Sequence, residues 1–454
     1  MQNLFQPPPG TRDFYPDAMA LRRHIEDTWR RVSLRHGFVE VDGPTFEYLD
    51  LYKVKSGDEI VSQLFHFESR GEDRTQFALR PEFTPTLARM VAAKANALPR
   101  PIKWFSIPRC YRAERPQKGR LREFIQWNVD MLGGETPEAR RQFDLETAAL
   151  CIDTLREFGL ASSDVKLVWN DRALVEQLFA LAGLPPERYP FGFYLLDRLA
   201  KLAPEQRRKQ YADNAVTAGE QAFFEQLAAG GDPLSEAFWE SLGSNGDFAA
   251  YRDAISGMQA HIEKTLALMG LPGYATYDPS IVRGLAYYTG FVWEVVDVSG
   301  GNRAVAGGGR YDKLIEMFGG PALAATGFGM GDVVLALLLA EKGKLPANAG
   351  VSPPDLFVIN ALEQTDDAVR QLAILRAAGL TALASYKATK NIGKLLEEAG
   401  KAHARVALIL APAEAAEGKA KLKNLRTREE RTIPLAAVLA ETLAELRGAG
   451  DIAP

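Results

Sequence analysis

The feature that most constrains this chain is a change in residue pattern between about Asp171 and Gly273. Before this segment, strand-like runs recur, among them WFSIPRCYR and EFIQWNVDMLG. Within it, alternation of polar and apolar residues disappears, and helical periodicity rich in Ala, Glu, Gln and Leu replaces it. After it, IVRGLAYYTGFVWEVVDV carries the strongest strand signal in the chain. The pattern predicts a helical insertion between two strand-rich parts.

The C-terminal part has a different pattern. A segment rich in Pro, Gly and Ala, KGKLPANAGVSPP, is typical of a linker. After it, three buried-strand runs alternate with two helical runs, which predicts a βαβαβ unit with a parallel or mixed sheet. The predicted divisions are a first core part at 1–170, the insertion at 171–273, a second core part at 274–341, a linker at 342–354 and a last domain at 355–454.

Charge and cysteine content exclude several classes of protein. The 454 residues include 54 Lys and Arg against 58 Asp and Glu, so the net charge is -4 and any basic site must be local. Two cysteines, Cys110 and Cys151, exclude a disulfide framework and a cysteine-rich zinc module. The N-terminus lacks the pattern of a secretory signal, and no apolar run is long enough for a membrane span. We therefore expect a cytoplasmic protein with no membrane contact.

The strongest local charge lies between Arg100 and Arg122. Side chains two residues apart share a strand face, which would place Arg112 beside Glu114 and Arg120 beside Arg122. The guanidinium group of arginine can form two parallel hydrogen bonds with phosphate oxygens, so this segment predicts a binding site for a polyanion. A solvated hairpin loop is the alternative. The segment holds one acid, Glu114, and eight basic residues: Arg100, Lys103, Arg109, Arg112, Arg115, Lys118, Arg120 and Arg122.

Three further motifs carry candidate chemistry. Arg283-Gly-Leu-Ala-Tyr-Tyr-Thr opens an apolar run, although a strand with an edge arginine explains it as well. AVAGGGRYDKL predicts a glycine-rich turn before a helix, and three glycines allow close approach to a ligand. Arg80-Pro-Glu82-Phe83-Thr84 places a carboxylate and a hydroxyl at a helix start, where a plain cap is the alternative. Cys110, inside a strand-like run, is expected to be core rather than catalytic.

Together these motifs resemble the class II aminoacyl-tRNA synthetases, and specifically the histidyl-tRNA synthetase family. The resemblance covers nearly the whole chain except the insertion. It rests on PPPGTRDFYP and GFVEVDGPTFEY, which look like the dimer-forming first motif, and on LRPEFTPTLAR, CYRAERPQKGRLREFIQWNVDMLG, VRGLAYYTGFVWEV, AVAGGGRYDKLIEMFGG and the segment from DLFVINA to the end.

The resemblance implies a fold and a reaction. The fold is an α+β core, an antiparallel sheet with helices, that carries a helical insertion and is followed by a C-terminal α/β anticodon-binding domain. The reaction uses ATP and Mg²⁺ to convert histidine to histidyl-adenylate and then transfers the histidyl group to the 3′ end of tRNA(His). A homodimer is also implied, as is Mg²⁺ bridging the outer phosphates without an assigned protein ligand.

The resemblance also implies roles for individual residues. Histidine would contact Glu82, Phe83, Thr84, Arg112, Gln126, Asp130, Arg283, Tyr287 and Tyr288. ATP would contact Arg112, Glu114, Arg120 and Arg122. Catalysis would rest on Arg112 and Arg283, with Arg283 stabilising charge on the α-phosphoryl group in the transition state.

The chain departs from the family pattern at three places. Gly331-Asp332-Val333-Val334 has valine where the third class motif carries an arginine over adenine. Ala286 replaces an aspartate, and Phe83 replaces a smaller residue. These changes resemble a divergent bacterial branch. A synthetase-like regulatory subunit of ATP phosphoribosyltransferase and an inactive synthetase paralogue are the alternatives, and histidine-dependent ATP–pyrophosphate exchange would exclude both.

Overall fold

The computed structural model divides the chain into two compact units, Met1–Ala349 and Gly350–Pro454. This division falls within the segment 342–354 that the sequence predicts as a linker. The structure describes residues 5–56, 58–70, 74–199, 202–243, 248–282, 288–301, 303–345 and 353–448.

Strands of the larger unit come from both sides of the helical insertion. They are β1 (Val39–Glu40), β2 (Phe46–Tyr48), β3 (His66–Glu68), β4 (Gln76–Leu79), β5 (Ile102–Ser106), β6 (Arg109–Tyr111), β7 (Glu123–Leu132), β8 (Val165–Asp171), β9 (Ala275–Tyr277), β10 (Phe291–Asp297), β11 (Ala306–Arg310) and β12 (Ala325–Gly331). Nine of these strands form one sheet in the order β1-β5-β7-β12-β11-β10-β8-β9, with β6 paired to β7. The sheet is antiparallel except for the pairs β1/β5 and β8/β9 at its edges.

Helices of the larger unit cover this sheet and form the insertion. They are α1 (Pro16–Arg35), α2 (Leu49–Ser56), α3 (Thr84–Lys94), α4 (Pro137–Glu157), α5 (Arg172–Leu181), α6 (Tyr189–Arg198), α7 (Pro204–Asp213), α8 (Ala218–Ala228), α9 (Glu236–Leu242), α10 (Phe248–Leu268), α11 (Leu314–Met317) and α12 (Asp332–Glu341). Helices α5 to α10 lie between β8 and β9 in the chain, where the sequence predicts the insertion.

One face of the large sheet is buried under helices. Trp29 of α1 stacks on Trp127 of β7 with ring centroids 5.9 Å apart, and Phe328 of β12 meets the same indole edge-on at 4.9 Å. Trp127 is fully buried. Aromatic pairs of this kind stabilise a core beyond the area that they bury. The packing on this face fixes which residues of β7 point to the opposite face.

A smaller sheet, in the order β2-β4-β3, lies beside the large one. The alternating runs LFHFES and TQFALR, which flank RGEDR in the sequence, predict a hairpin, and β3 and β4 form the corresponding antiparallel pair. The sequence GFVEVDGPTFEYLDLY predicts a second extended piece after its Gly-Pro turn, whereas the last residues of this piece lie in helix α2. Its residues Leu49 and Tyr52, three apart on one helix face, are buried against Leu64 and Ala78, and an extended chain would point them to opposite sides.

The smaller unit contains the strands β13 (Leu356–Asn360), β14 (Ala382–Ala384), β15 (Val406–Leu410), β16 (Lys419–Asn424) and β17 (Glu430–Pro434). Its helices are α13 (Asp366–Ala377), α14 (Ile392–Lys401), α15 (Pro412–Ala416) and α16 (Val438–Gly448). The strand order is β14-β13-β15-β16-β17, parallel among the first three and antiparallel at the other end. This is the mixed sheet that the βαβαβ pattern predicts.

In the residues that the structure describes, no helix has both the length and the apolarity that crossing a bilayer requires.

Candidate active site

The open face of the large sheet forms the floor of a cleft of about 1100 Å³. Strands β7, β10, β11 and β12 contribute to it, together with the start of α3, the basic loop before β7 and parts of the insertion. Seven predicted site residues line it: Glu82, Thr84, Arg112, Arg120, Gln126, Asp130 and Tyr288. Residues separated by about 200 positions in sequence therefore meet at one surface.

Strand β7 directs three polar side chains into the cleft. Gln126, Asn128 and Asp130 alternate with Trp127 and Val129, which are fully buried on the opposite face. The two-residue period of a strand produces this division. Asn128 was not among the predicted residues, although the same alternation that pairs Gln126 with Asp130 includes it.

Glycines of β11 and β12 keep the floor of the cleft open. A Cβ on Gly327 would lie 2.3 Å from Asp130 Oδ1, and one on Gly329 would lie 2.9 Å from Gln126 Nε2. A Cβ on Gly309 would lie 2.6 Å from the Phe291 carbonyl oxygen. Side chains at these positions would displace the polar groups of β7 or the neighbouring backbone.

The glycine triplet, residues 307–309, corrects one prediction. The sequence predicts a glycine-rich turn, whereas the structure places all three glycines inside β11, paired to β10 and β12. Glycine in a strand interior often marks a close approach by a ligand or another backbone. Here it removes the side-chain alternation by which a strand is recognised, which explains the error.

Asp130 has a partner that the sequence analysis missed. The Tyr311 hydroxyl donates a hydrogen bond to Asp130 Oδ1, and both residues are almost fully buried at the cleft surface. A carboxylate has two oxygens with several acceptor sites, so this bond leaves Asp130 able to accept from another donor. Tyr311 holds the carboxylate in one orientation. Tyr311 is the second residue after the glycine triplet in the motif GGGRYD, which was the available signal.

The basic loop between β6 and β7 contains residues 112–122, which lie beyond the ends of both strands. Arg112 donates from Nε to the Pro81 carbonyl oxygen (3.3 Å), and its guanidinium lies 5.0 Å above the Phe124 ring. Arg120 forms an ion pair with Glu114. The predicted pairing of these side chains by strand faces is therefore replaced by loop contacts.

Two predicted ATP contacts do not line the cleft. Glu114 is held by Arg120, and Arg122 donates from Nε to the Glu114 carbonyl oxygen at 3.1 Å. The Arg122 and Glu114 contacts tie the two sides of the loop together.

The segment at the start of α3 divides its residues between cleft and core. Glu82 and Thr84 line the cleft, and the ring of Phe83 between them is fully buried in a cluster with Leu87 and Val91. The buried ring anchors the turn that presents its two polar neighbours.

Two predicted residues, Arg283 and Tyr287, lie outside the described residues. Tyr288 is described: it lines the cleft, and a Cβ on Gly309 would lie 2.9 Å from its Cδ1. The absence of a side chain at position 309 thus makes room for the Tyr288 ring.

The arginine of GGGRYD supports the floor from beneath. Arg310 pairs with Asp144 of α4 at 2.7 Å and with Asp312 at 3.2 Å, and it is almost fully buried. Burial raises the pKa of Asp144 to about 7, and the positive charge of Arg310 opposes that shift. This arginine ties β11 to α4.

The third-motif segment follows β12 directly as the start of α12. Asp332 pairs with Arg12 at 2.7 Å and accepts a hydrogen bond from the Ile125 amide at 2.9 Å. Val333 and Val334 line the cleft beside the basic loop. This carboxylate therefore fixes β7 to α12, while the two valines form part of the apolar wall.

The insertion contributes a second wall. Leu196 and Asp197 of α6 line the cleft, as do Gly230 and Gly231 after α8. None of these was predicted, because a helical pattern alone does not show which helix faces a distant sheet.

The described residues hold neither a cluster of metal-ligating side chains nor a reactive thiol. In the described parts of the chain, no three His, Cys, Asp or Glu side chains come together as a metal-binding group. Cys110 is fully buried, and burial raises the pKa of its thiol to about 12. A thiol in this state is not a nucleophile at neutral pH.

A mainly antiparallel sheet with a charged cleft on its open face, interrupted by helices and followed by a separate α/β unit, is the architecture of a class II aminoacyl-tRNA synthetase. The family profile described as Histidyl-tRNA synthetase matches residues 10–332, and the profile described as Anticodon binding domain matches residues 355–445. The chain belongs to the histidyl-tRNA synthetase family.

Individual proteins agree with this assignment. The histidine–tRNA ligase of Opitutus terrae is 42% identical over 440 residues, covering 95% of this chain and 96% of the relative. The histidine–tRNA ligase of Leptospira biflexa is 34% identical over 448 residues. A crystal structure of histidyl-tRNA synthetase from Nostoc sp. PCC 7120 matches with a TM-score of 0.73 at 22% identity, covering 97% of this chain and 99% of that one, and supports the fold.

Proposed function

We propose that the cleft activates histidine with ATP and that the protein transfers the histidyl group to the 3′ end of tRNA(His). The protein is a histidine–tRNA ligase. The observation that carries the site assignment is the convergence of Glu82, Arg112, Gln126 and Asp130 on one cleft surface. These side chains supply a carboxylate for an ammonium group, a guanidinium for phosphate and polar acceptors for an imidazole.

Histidine-dependent ATP–pyrophosphate exchange tests this proposal. The expected result is exchange with histidine and background exchange when histidine is omitted or replaced by glutamine. Charging of tRNA(His) should follow in the same preparation. Binding of histidine without exchange would favour a regulatory subunit and would contradict the proposal.

In the proposed first step, a carboxylate oxygen of histidine attacks the α-phosphorus of ATP. A new P–O bond forms, the bond to the β-phosphate oxygen breaks, and pyrophosphate leaves. Arg112 would contact the α-phosphate and the histidine carboxylate, since a planar guanidinium can bridge two oxygen acceptors. Arg120 would reach the outer phosphates, which requires exchange of its Glu114 partner for phosphate.

Glu82 and Thr84 would hold the α-amino group of histidine, with buried Phe83 supporting their turn. Gln126 and Asp130 would bind the imidazole, beside the ring of Tyr288. Tyr287 and Arg283 keep the roles that the resemblance implies, in imidazole binding and in transition-state stabilisation. Glu114 and Arg122, which lie off the cleft in this structure, remain proposed ATP contacts only if the basic loop rearranges.

In the second step, a ribose hydroxyl of the terminal adenosine would attack the carbonyl carbon of histidyl-adenylate, and AMP would leave. Mg²⁺ is expected with ATP. The described cleft has scattered carboxylates rather than a cluster, which fits a cation held mainly by phosphate oxygens. Such a cation would neutralise phosphate charge.

The smaller unit would bind the tRNA anticodon. In the sequence, Lys419, Lys421, Lys423, Arg426 and Arg428 alternate roughly at strand spacing and could track phosphates, with a solvated face as the alternative. In the structure, Lys419 pairs with Glu417 at 2.8 Å, and Lys421 and Lys423 pair with Glu430 at 3.4 and 3.1 Å. These ion pairs favour the solvated face.

A different surface of the smaller unit has the character of a nucleic-acid contact. Tyr386, in the loop after β14, is 99% exposed. The loop is anchored on both sides of Tyr386, because the Ser385 hydroxyl donates to Glu398 at 2.8 Å and Lys390 donates to the Leu362 carbonyl oxygen. It lies at the carboxyl edge of the parallel strands, the edge where α/β sheets bind ligands. We propose that Tyr386 stacks on an anticodon-loop base.

Tyr386→Ala is expected to raise the KM for tRNA(His) about tenfold, because loss of a base–aromatic stack has an effect of that order. ATP–pyrophosphate exchange should not change, since that reaction needs no tRNA. Lys419→Ala serves as the matched control in β16 and should leave the KM for tRNA unchanged. A larger effect from Lys419→Ala than from Tyr386→Ala would place the contact on the basic strand.

We also propose a homodimer, in which the smaller sheet of the larger unit meets a second copy. Three of its aromatic side chains, Phe46, Tyr48 and Phe67, are largely exposed and form one patch around Phe77. Exposed apolar patches of this kind commonly mark protein interfaces. The patch overlaps the segment GFVEVDGPTFEY, which resembles the dimer-forming first motif, only in part, since Phe38 of that segment is buried core.

The double change Tyr48→Glu and Phe67→Glu is expected to convert a dimer to a monomer at micromolar concentration, because two buried carboxylates would face the partner. Sedimentation velocity measures the result. Leu268→Glu, at an exposed apolar residue on α10, is the control and should remain dimeric. A wild-type monomer, or a double variant that stays dimeric, contradicts this interface.

A further inference from the structure

Arg303 is a cleft-lining cation to which the proposed reaction assigns no role. The arginines that line the cleft in the described residues are Arg112, Arg120 and Arg303. Arg112 lies over Phe124, and Arg120 pairs with Glu114. Arg303 is exposed, and the part of the chain that the structure describes offers it no ion-pair partner. Its charge is therefore available to a ligand.

The position of Arg303 is defined by its neighbours across the cleft. A Cβ built on Gly119 of the basic loop would lie 3.4 Å from Val334 Cγ2 and 3.8 Å from Arg303 Cδ. The side chains of Val334 and Arg303 thus converge on the same point of the loop, from the start of α12 and from the segment before β11.

This end of the cleft suits a planar base better than a phosphate chain. Its lining includes Leu121, Phe124 and the two valines 333 and 334, which offer no hydrogen-bond donors from their side chains. An apolar wall with one aromatic ring accepts a heteroaromatic ring, whereas a polyanion would lose hydration there without compensation. A guanidinium at such a wall can face the π-system of the base.

We propose that Arg303 binds the purine base of ATP through the face of its guanidinium, beside Val334. Arg303 is a substrate-binding residue in this assignment and takes no part in bond making. The inference rests on the proposed function, because it concerns the nucleotide that the same cleft uses. It explains how a cleft with valine at position 334 still presents a cation to the base.

The test compares the wild-type protein with Arg303→Met, which keeps an unbranched, flexible side chain and removes its charge. The KM for ATP in exchange should rise about tenfold, within the range for a cation–π contact, while the KM for histidine changes by less than about twofold. Calorimetric binding of adenosine, which has the base and ribose but no phosphate, should weaken by a similar factor. Arg141→Met, at an exposed arginine of α4 outside the cleft, should change none of these values.

Binding of pyrophosphate distinguishes whether Arg303 contacts the base or the phosphates of ATP. Its affinity, measured in the reverse reaction, should stay unchanged in Arg303→Met. Weaker pyrophosphate binding with unchanged adenosine binding would overturn the proposal, and so would no change in either. The adenosine measurement needs neither histidine nor turnover, so it tests Arg303 even if wild-type protein shows no histidine-dependent exchange and the proposed function fails.

Rescue from the neighbouring position provides a second test. Adding Val334→Arg to the Arg303→Met variant places a guanidinium at the same wall from α12. We expect the KM for ATP and the Kd for adenosine to return to within about threefold of the wild-type values. A folded double variant that binds adenosine no better than Arg303→Met would contradict the assignment of a cation to this wall.

Discussion

Asp130→Asn is expected to raise the KM for histidine about a hundredfold, the size of one lost hydrogen bond to a buried charged group. Asp130 is 3% exposed at the cleft surface, and Tyr311 donates to one of its oxygens. The amide has the shape of the carboxylate but presents an N–H group on one side. The imidazole N–H that would donate to the carboxylate then faces either the N–H group of the amide or its oxygen, which is a weaker, neutral acceptor.

The KM for ATP in the same exchange assay should change by less than about threefold, because the proposed ATP contacts lie elsewhere in the cleft. Tyr311→Phe removes only the hydroxyl that orients Asp130, so a smaller rise in the KM for histidine is expected, again without an effect on ATP. Equal effects of Asp130→Asn on both substrates, with an unchanged melting temperature, would exclude Asp130 from histidine recognition.

Arg310→Met is expected to lower the free energy of unfolding by about 3–5 kcal/mol, because it leaves Asp144 buried without its cation. Arg310 and Asp144 are 6% and 5% exposed and 2.7 Å apart, and the pair joins β11 to α4 beneath the cleft. Replacement of both members by apolar residues restores a neutral core. The double variant Arg310→Met, Asp144→Leu should therefore recover much of the lost stability in urea unfolding.

The loss of unfolding free energy in Arg310→Met should depend on pH, and the direction of that dependence follows from the pKa of Asp144. Burial raises the pKa of Asp144 to about 7 in the folded wild-type protein, and removal of Arg310 raises it further. Below about pH 6 the folded carboxyl is mostly protonated in both proteins, whereas above pH 7 only the wild-type protein can ionise it readily. The deficit of Arg310→Met should therefore be larger at pH 8.5 than at pH 6.

The exposed pair Arg141–Glu138 provides the matched control for stability. Arg141→Met should alter the free energy of unfolding by less than about 0.5 kcal/mol, since exposed pairs contribute little. A deficit for Arg310→Met no larger than that of Arg141→Met, or one that falls as pH rises, would show that Asp144 is not left as a buried charge.

Local patterns and the family resemblance together predicted seven residues that line the cleft. The alternation in EFIQWNVDMLG placed Gln126 and Asp130 on one face because a strand repeats every two residues whatever surrounds it. The same argument failed for residues 112–122, since strand geometry ends at Tyr111 and resumes at Glu123. It also failed for the glycine triplet of β11, where there is no side chain to alternate.

By itself, the sequence determined the order of strand-rich and helical parts, the family and the polar face of β7, because each depends on residues close together in the chain. Only the tertiary structure decided which charges meet. Lys421 pairs with Glu430 on the neighbouring strand, and Arg310 reaches Asp144 on α4. Arg303 and Val334 both approach Gly119 of the basic loop. Such partners belong to different elements that sheet pairing and core packing bring together. The periodicity of a single strand or helix does not predict which residues of two elements will meet.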